Sequence, residues 1–120
     1  TGGTSGIGEA TAEVFAAEGA KVVIAGRSEE KGSAIAERLG ENVIHQRCDV
    51  TLESDIEALV STAKEKFGRL DCMFNNAGGR SQGEVETVTM SDVDDAMRLL
   101  LGSVALGIRF AAKVMKPQGS

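Results

Sequence analysis

The first eight residues of the chain have the types and spacing of a loop that binds phosphate. Glycines recur in the pattern G-x-x-x-G-x-G, and a helical pattern follows directly. Glycine lets the backbone approach an anion closely, and a helix start adds unpaired N–H groups with a partial positive charge. The candidate binding residues here are Gly2, Thr4, Ser5, Gly6, Ile7 and Gly8. A tight turn without a ligand would show the same pattern.

Composition narrows the classes of protein to consider. The 120 residues suffice for one domain, and 42% hydrophobic with 26% charged residues is ordinary for a globular chain. A net charge of −5 with scattered basic residues argues against a nucleic-acid surface, and no apolar run is long enough to span a membrane. We therefore expect a small-molecule ligand, no nucleic acid and no membrane partner.

A few special side chains limit the chemistry further. Cys48 and Cys72 lie in apolar stretches, which favours buried free thiols and a cytoplasmic location. His45 is the one histidine of the sequence and has no partner at ligand spacing, so no metal site is predicted. The sequence contains no tyrosine. A mechanism that needs a tyrosine acid or base therefore cannot run on these residues alone.

Hydrophobic patterning predicts helices that alternate with short strands. The predicted elements are helix 9–18, strand 21–25, helix 29–39, strand 42–48, helix 54–67 and strand 70–74. Ser54 and Glu57 have the spacing of a capping box for the third helix. Residues 80–90 are expected to form a polar loop. A long helix, capped by Ser91 and Asp94, follows from Ser91 to Met115 and is ended by Pro117 and Gly119.

This order of elements predicts an α/β fold, a Rossmann-like doubly wound parallel sheet with helices on both faces. A phosphate loop of this kind follows a strand, and in the strand order 3-2-1-4-5 that first strand lies inside the sheet. The sequence begins at the loop itself and ends where a fifth strand is expected to begin. We therefore expect residues 1–120 to be a partial dinucleotide-binding domain, truncated at both ends.

Further candidate residues follow each predicted strand. Ligands of open parallel sheets bind beyond the carboxyl ends of the strands. The opening loop and three later segments should therefore meet at one edge and form a nucleotide site. The candidate cofactor-binding residues of these later segments are Arg27, Asp49, Val50, Asn76, Ala77 and Gly78.

Arg27 bears on the choice of nucleotide. NAD-selective sites commonly place an acidic residue after the second strand, whereas NADP-selective sites offer a cation to the 2′-phosphate. Here the strand is followed by Gly26 and then Arg27, whose guanidinium can bind phosphate in a bidentate way and stack on adenine. NADP(H) is therefore the favoured cofactor and NAD(H) the possible one. An exposed arginine near a helix start is the other interpretation.

The remaining candidates also have structural alternatives. Asp49 can accept a hydrogen bond from the adenine amino group, with Val50 beside the base, or it can cap the following turn. The backbone of 76–78 can pass close to the ribose of the cofactor, while Asn75 and Asn76 can equally bond neighbouring backbone. The acidic cluster at 92–95 fits the positive end of a helix better than a metal site.

Together these motifs resemble the short-chain dehydrogenase/reductase family. The resemblance is carried by Thr1-Gly2-x-x-x-Gly6-Ile7-Gly8, Asp49-Val50, Asn75-Asn76-Ala77-Gly78 and the spacing between them. It covers the whole chain as the amino-terminal, cofactor-binding half of such an enzyme. It implies an NAD(P)-dependent oxidoreductase that transfers a hydride between nicotinamide and an alcohol or ketone. It also implies a homo-oligomer, often a homotetramer, packed through the long helix Ser91 to Met115.

The family's catalytic serine, tyrosine and lysine cannot be carried over to this chain, which is therefore expected to hold no catalytic residue. The family adds an asparagine on the long helix. Counting back from Val114-Met115-Lys116-Pro117, its place falls near Leu100, within a run of three leucines. Leucine cannot help to hold the water of a proton relay, so either another group substitutes or the protein is slow or non-catalytic.

Two alternatives stay open from the sequence. A non-catalytic nucleotide-binding or scaffolding member of the same fold is favoured by Leu100 and the lack of tyrosine. A methyltransferase of similar topology also has a glycine loop after its first strand, although Asn75-Asn76-Ala77-Gly78 argues against it.

Overall fold

The structure, a computed structural model, describes residues 1–79 and 84–120. Its elements, in chain order, are α1 (Gly6–Ala17), β1 (Val22–Gly26), α2 (Glu29–Leu39), β2 (Val43–Arg47), α3 (Glu53–Phe67), α4 (Met90–Met97) and α5 (Ser103–Gln118). A π-helical turn, Arg98–Gly102, joins the last two helices. The first part of the loop predicted at 80–90 lies outside the described residues.

Helices cover both faces of the sheet. The strands β1 and β2 pair in parallel, in the register that places Gly26 opposite Arg47. Successive strand side chains point to opposite faces, so Ile24 joins one core cluster with residues of α1 and α2. Ala25 joins the other cluster, with residues of α3 and α5. This arrangement confirms the predicted α/β fold class.

Helix α2 and the ends of two other helices agree with the sequence prediction. The Ser28 hydroxyl accepts a hydrogen bond from the backbone N–H of Lys31, 3.3 Å away, and caps α2. Gly68 ends α3 in the left-handed conformation, with φ of 79°. Gly119 ends α5 in the same way, with φ of 79°. Pro117 lies inside the last turn of α5 and not beyond it.

Three helix starts were predicted incorrectly. Helix α1 begins at Gly6, inside the glycine loop, and not after it. Helix α3 begins at Glu53 behind Leu52, which makes no side-chain cap, so the predicted serine–glutamate capping box is not formed. Helix α4 is capped by Thr89, whose backbone N–H donates to the Asp92 carboxylate over 2.8 Å. The helix therefore starts before the predicted cap at 91.

Residues 70–74 depart most from the prediction, because they are not a strand in this structure. The sheet formed by the described residues has two strands, β1 and β2. Between β1 and the 70–74 segment lies a groove of about 440 Å³, with Val23 and Phe74 among its apolar wall residues. A strand needs a neighbour for its backbone hydrogen bonds. An apolar run alone is therefore not sufficient to make one.

Candidate nucleotide-binding site

The glycine loop is tied to the segment that follows 70–74. The Asn76 side-chain Nδ2 donates to the carbonyl oxygens of Thr1 (3.2 Å) and Gly2 (3.4 Å). The Thr1 hydroxyl oxygen accepts from the backbone N–H groups of Asn76 (3.1 Å) and Ala77 (3.0 Å). A Cβ at Gly8 would overlap the Gly2 carbonyl. The structural alternative considered for Asn76, bonding to neighbouring backbone, is therefore present.

Gly6 faces open space at the start of α1. Its φ is +54°, and a Cβ placed there would meet no atom within 4 Å. The N-cap residue of α1, Ser5, makes no side-chain cap, so the first N–H groups of the helix are left for another acceptor. Ile7 beside them is 74% exposed. An open cradle at an uncapped helix start fits a phosphate group.

Thr4 fastens the loop to the end of β1. A Cβ at Gly26 would lie 2.7 Å from the Thr4 hydroxyl oxygen, so this close packing requires glycine. The backbone N–H of Gly3 donates to the carbonyl oxygen of Ala25 over 3.0 Å. The loop thus touches both the 76–77 segment and the end of β1. Arg27 follows directly and is exposed.

Asp49 stabilises the turn after β2. Its Oδ1 accepts hydrogen bonds from the Thr51 backbone N–H (3.0 Å) and the Thr51 hydroxyl (2.7 Å). These bonds, with a smaller contribution from Arg27 and Arg47, hold the pKa of Asp49 below its ordinary value. The turn-capping alternative is therefore present. Within 1–79 and 84–120, its Oδ2 accepts no hydrogen bond from the protein.

The other predicted site residues lie beneath or beside these groups. Val50 is buried in the core cluster that contains Ala25, and Ala77 packs against that cluster. Both residues therefore lie in the core beneath the carboxyl edge of the sheet. A Cβ at Gly78 would lie 3.4 Å from the Leu100 Cδ2. Leu100 is 50% exposed. Leucine therefore lies beside the loop at the position where the family resemblance expects an asparagine.

The π-helical turn that carries Leu100 has an internal side-chain cap. The Ser103 backbone N–H bonds to the Arg98 carbonyl, one residue further back than in an α-helix. The Leu99 carbonyl, which loses that donor, accepts from the Ser103 hydroxyl over 2.5 Å. Ser103 is buried. Its hydroxyl therefore satisfies a carbonyl that the π turn leaves without its usual partner.

The two cysteines occupy different environments. Cys48 follows β2 and is buried, and burial raises the pKa of its thiol to about 11. Cys72 lies in the 70–74 segment and is exposed, so the expectation that both thiols are buried was wrong for this one. Both cysteines are free.

Three residues that shape this edge were not among the candidate site residues: Thr1, Thr51 and Ser103. The spacing of Asp49 and Thr51 is that of an Asx turn, which would have identified Thr51. Thr1 bonds residues that are 75 and 76 positions away, and no local pattern announces such contacts. Ser103 acts through a π turn that the helical periodicity did not reveal.

A parallel sheet with helices on both faces and a glycine loop at its carboxyl edge defines an α/β protein of the Rossmann-like class. The short chain dehydrogenase family model matches residues 1–120. The chain therefore belongs to the short-chain dehydrogenase family, which excludes the methyltransferase alternative. In the described part of the chain, no helix combines the length and the apolarity that a bilayer crossing needs.

Several plant proteins are similar over nearly the whole chain. Tropinone reductase-like 1 of Erythroxylum coca is 48% identical over 122 residues, covering 98% of this chain and 45% of that protein. A mitochondrial borneol dehydrogenase of Lavandula x intermedia is 43% identical, covering 100% and 46%. Momilactone A synthase of Oryza sativa subsp. japonica is 41% identical, covering 98% and 44%. The chain spans about half the length of these relatives.

Proposed function

We propose that the chain is the NAD(P)-binding portion of an oxidoreductase that interconverts an alcohol and a ketone by hydride transfer. The observation that carries this proposal is the meeting of the glycine loop with Gly26 and with Asn76 at one edge of the sheet. The names of the relatives, which include a reductase and a dehydrogenase, support the reaction class.

Each segment of the edge has a distinct task in this proposal. The uncapped N–H groups of residues 6–8 bind the pyrophosphate, and Thr4 holds the loop in place. The Asp49 Oδ2 accepts a hydrogen bond from the adenine amino group, and the backbone of 76–78 faces the ribose. The bound cofactor supplies or accepts the hydride. The proton-transferring residues are proposed to lie in the part of the relatives' length that this chain does not span.

We propose further that Arg27 favours NADP(H) by binding the 2′-phosphate. The test is to titrate NADPH and NADH into the full-length protein and its Arg27→Gln variant. A charge-assisted bond contributes roughly 1.5–3 kcal/mol, so NADPH affinity should fall about tenfold or more, with NADH little changed. Arg69→Gln is the control, because its guanidinium is held by Asp71 over 2.7 Å. Equal binding of NADH and NADPH by the unaltered protein defeats this proposal.

Leu100 favours a second candidate, a nucleotide-binding protein of the same family without turnover. An apolar side chain lies where the family resemblance expects the asparagine that helps to position a proton relay. Replacing it, in Leu100→Asn, should raise turnover in the full-length protein if the enzyme is slow for this reason. An unchanged or lower rate counts against the role given to this position. NADPH binding without turnover in either form supports the second candidate.

We also propose that the protein is a homo-oligomer packed through the long helix. Exposed large apolar side chains follow α4, the π-helical turn and α5, and they are Met90, Val93, Met97, Leu100, Leu101 and Ile108. Such a row usually marks a contact surface. Sedimentation of the full-length protein should show a dimer or tetramer that Ile108→Asp dissociates. A monomer at micromolar concentration contradicts the proposal. The cytoplasmic location stays a prediction.

The groove beside β1 supports the proposal that this domain is partial. Thr1 lines the groove, and its amino group donates to the Phe74 carbonyl over 2.8 Å. Gly3 bonds to β1 on the other wall. We propose that a strand leading into Thr1 fills the groove and pairs with both walls. Amides of 70–74 in the full-length protein should then exchange hydrogen as slowly as those of β1, and fast exchange would refute this.

A further inference from the structure

Arg47 stands next to the predicted phosphate-binding arginine. It is the last residue of β2 and lies opposite Gly26, the residue before Arg27. Neighbouring strands are about 4.8 Å apart. The two arginines therefore project from adjacent strand ends at the same edge of the sheet.

The side chains along β2 show toward which face Arg47 points. Gln46 faces α3, where its Oε1 accepts from the Thr62 hydroxyl over 3.2 Å. His45 faces α2, where its ring occupies the space that a Cβ at Gly32 would need. Because side chains alternate, Arg47 lies on the α2 side, as His45 does. Arg27 precedes α2, which begins at Glu29, so it lies in the short connection between β1 and that helix.

Neither arginine of this pair forms a salt bridge within 1–79 and 84–120, and the same is true of Arg98. By contrast, three other arginines each hold a carboxylate at 2.6–2.7 Å, and they are Arg38, Arg69 and Arg109. Both members of the pair act on Asp49, whose pKa they help to lower. Two exposed cations at neighbouring strand ends repel each other unless an anion lies between them.

The acidic residues near the pair in the sequence and the fold are Asp49, Glu29 and Glu30. Asp49 Oδ1 is bonded to Thr51. Glu29 and Glu30 lie in the first turn of α2, and the Glu29 Oε1 is 3.6 Å from the His45 Nδ1. No carboxylate in the described residues closes an ion pair with Arg27 or Arg47. The pair therefore has cationic groups to offer to a ligand.

We infer that Arg47 is a second specificity residue, which binds the adenosine 2′-phosphate together with Arg27. The inference rests on the proposed dinucleotide function and refines it. A dianionic phosphate presents enough oxygens for two guanidinium groups, each in a charge-assisted contact. NADH presents only a ribose hydroxyl at that point and gains nothing from the second cation.

The test measures NADPH and NADH affinity for the full-length protein and for Arg47→Gln, Arg47→Lys and Arg69→Gln. Loss of one charge-assisted contact should weaken NADPH about tenfold, with NADH changed less than about twofold. Lysine retains the charge and should restore part of the NADPH affinity. Adding salt should weaken NADPH binding to the unaltered protein more than to Arg47→Gln, since exposed charges are screened. Arg69→Gln should behave as the unaltered protein does.

The outcomes separate this inference from the proposed function. If Arg27→Gln weakens NADPH but Arg47→Gln matches the Arg69→Gln control, the inference fails and the proposed function stands. If Arg47→Gln weakens both cofactors equally, its role is structural and the inference fails. If the unaltered protein binds neither cofactor, the proposed function itself fails. Thermal unfolding of each variant shows whether the fold is intact.

Discussion

The two paired strands and the 70–74 segment contain similar short apolar runs, yet only the strands form a sheet here. Val22–Gly26 and Val43–Arg47 pair along their whole length and have helices on both faces. The 70–74 segment packs its Leu70 and Met73 against one core cluster but borders an open groove on the side of β1. Whether a segment forms a strand thus depends on a neighbouring strand as much as on its own residue types.

The same contrast extends to the cysteines. Cys48, just beyond β2, is enclosed by the completed side of the sheet, while Cys72 lies along the groove. The sequences around the two cysteines are comparably apolar. The difference in burial of the thiols therefore comes from the neighbouring segments that each one has in the fold. The proposed nucleotide site depends both on the paired strands and on the segment that follows 70–74. The glycine loop bonds to β1 on one side and to Asn76 on the other.

The largest effect is expected from a charge in the groove. Val23 lines the groove and packs against the core. If a strand fills the groove in the full-length protein, Val23→Asp buries an unpaired carboxylate and lowers the free energy of unfolding by about 3 kcal/mol or more. Val14→Asp is the control, since Val14 is 62% exposed. Equal denaturation midpoints for the two variants would show that the groove is solvated.

A smaller effect is expected where the glycine loop closes on itself. In Gly8→Ala the new methyl group would overlap the Gly2 carbonyl. Overpacking of this kind costs about 1–3 kcal/mol, and the displaced loop should also bind NADPH more weakly. Gly102→Ala is the matched control, because its Cβ would lie 3.8 Å from the nearest atom. Unchanged stability and binding in Gly8→Ala would contradict the loop packing.

The smallest effect concerns the pH dependence of stability at Cys48. The thiol ionises near pH 9.0 in the unfolded chain and near 11 in the folded one. Between these values the unfolded state loses the proton first, so the free energy of unfolding falls as pH rises, by about 1–2 kcal/mol. Chemical denaturation from pH 8 to 11 should show this fall, and Cys48→Ala should lack that part of it. Identical slopes would contradict burial of the thiol.

Local patterns predicted much of this fold. The bounds of α2 and the glycine that ends α3 followed from capping rules and periodicity. Helix starts were less predictable, because two candidate caps compete within a few residues, as Thr89 and Ser91 do. The π turn at Arg98–Gly102 escaped prediction, since it keeps the same overall helical pattern.

The sequence predicted which residues meet at the carboxyl edge of the sheet, but it did not predict the contacts between them. Parallel strand ends meet at one edge, so the glycine loop, Asp49 and Asn76 could be placed together from the order of elements. The bond from Asn76 to Thr1 and the packing of Thr4 on Gly26 depend on the folded backbone. These contacts join residues far apart in the sequence, and no local spacing encodes them.

Hydrogen exchange of the full-length protein with and without NADPH shows whether the dinucleotide binds at the strand ends. We expect NADPH to slow exchange at the carboxyl edge, in 3–8, 26–28 and 75–79. We expect no change at the opposite edge, in 19–21 and 40–42. Protection confined to the opposite edge, or no protection at either edge with saturating NADPH, would contradict a dinucleotide site at the strand ends.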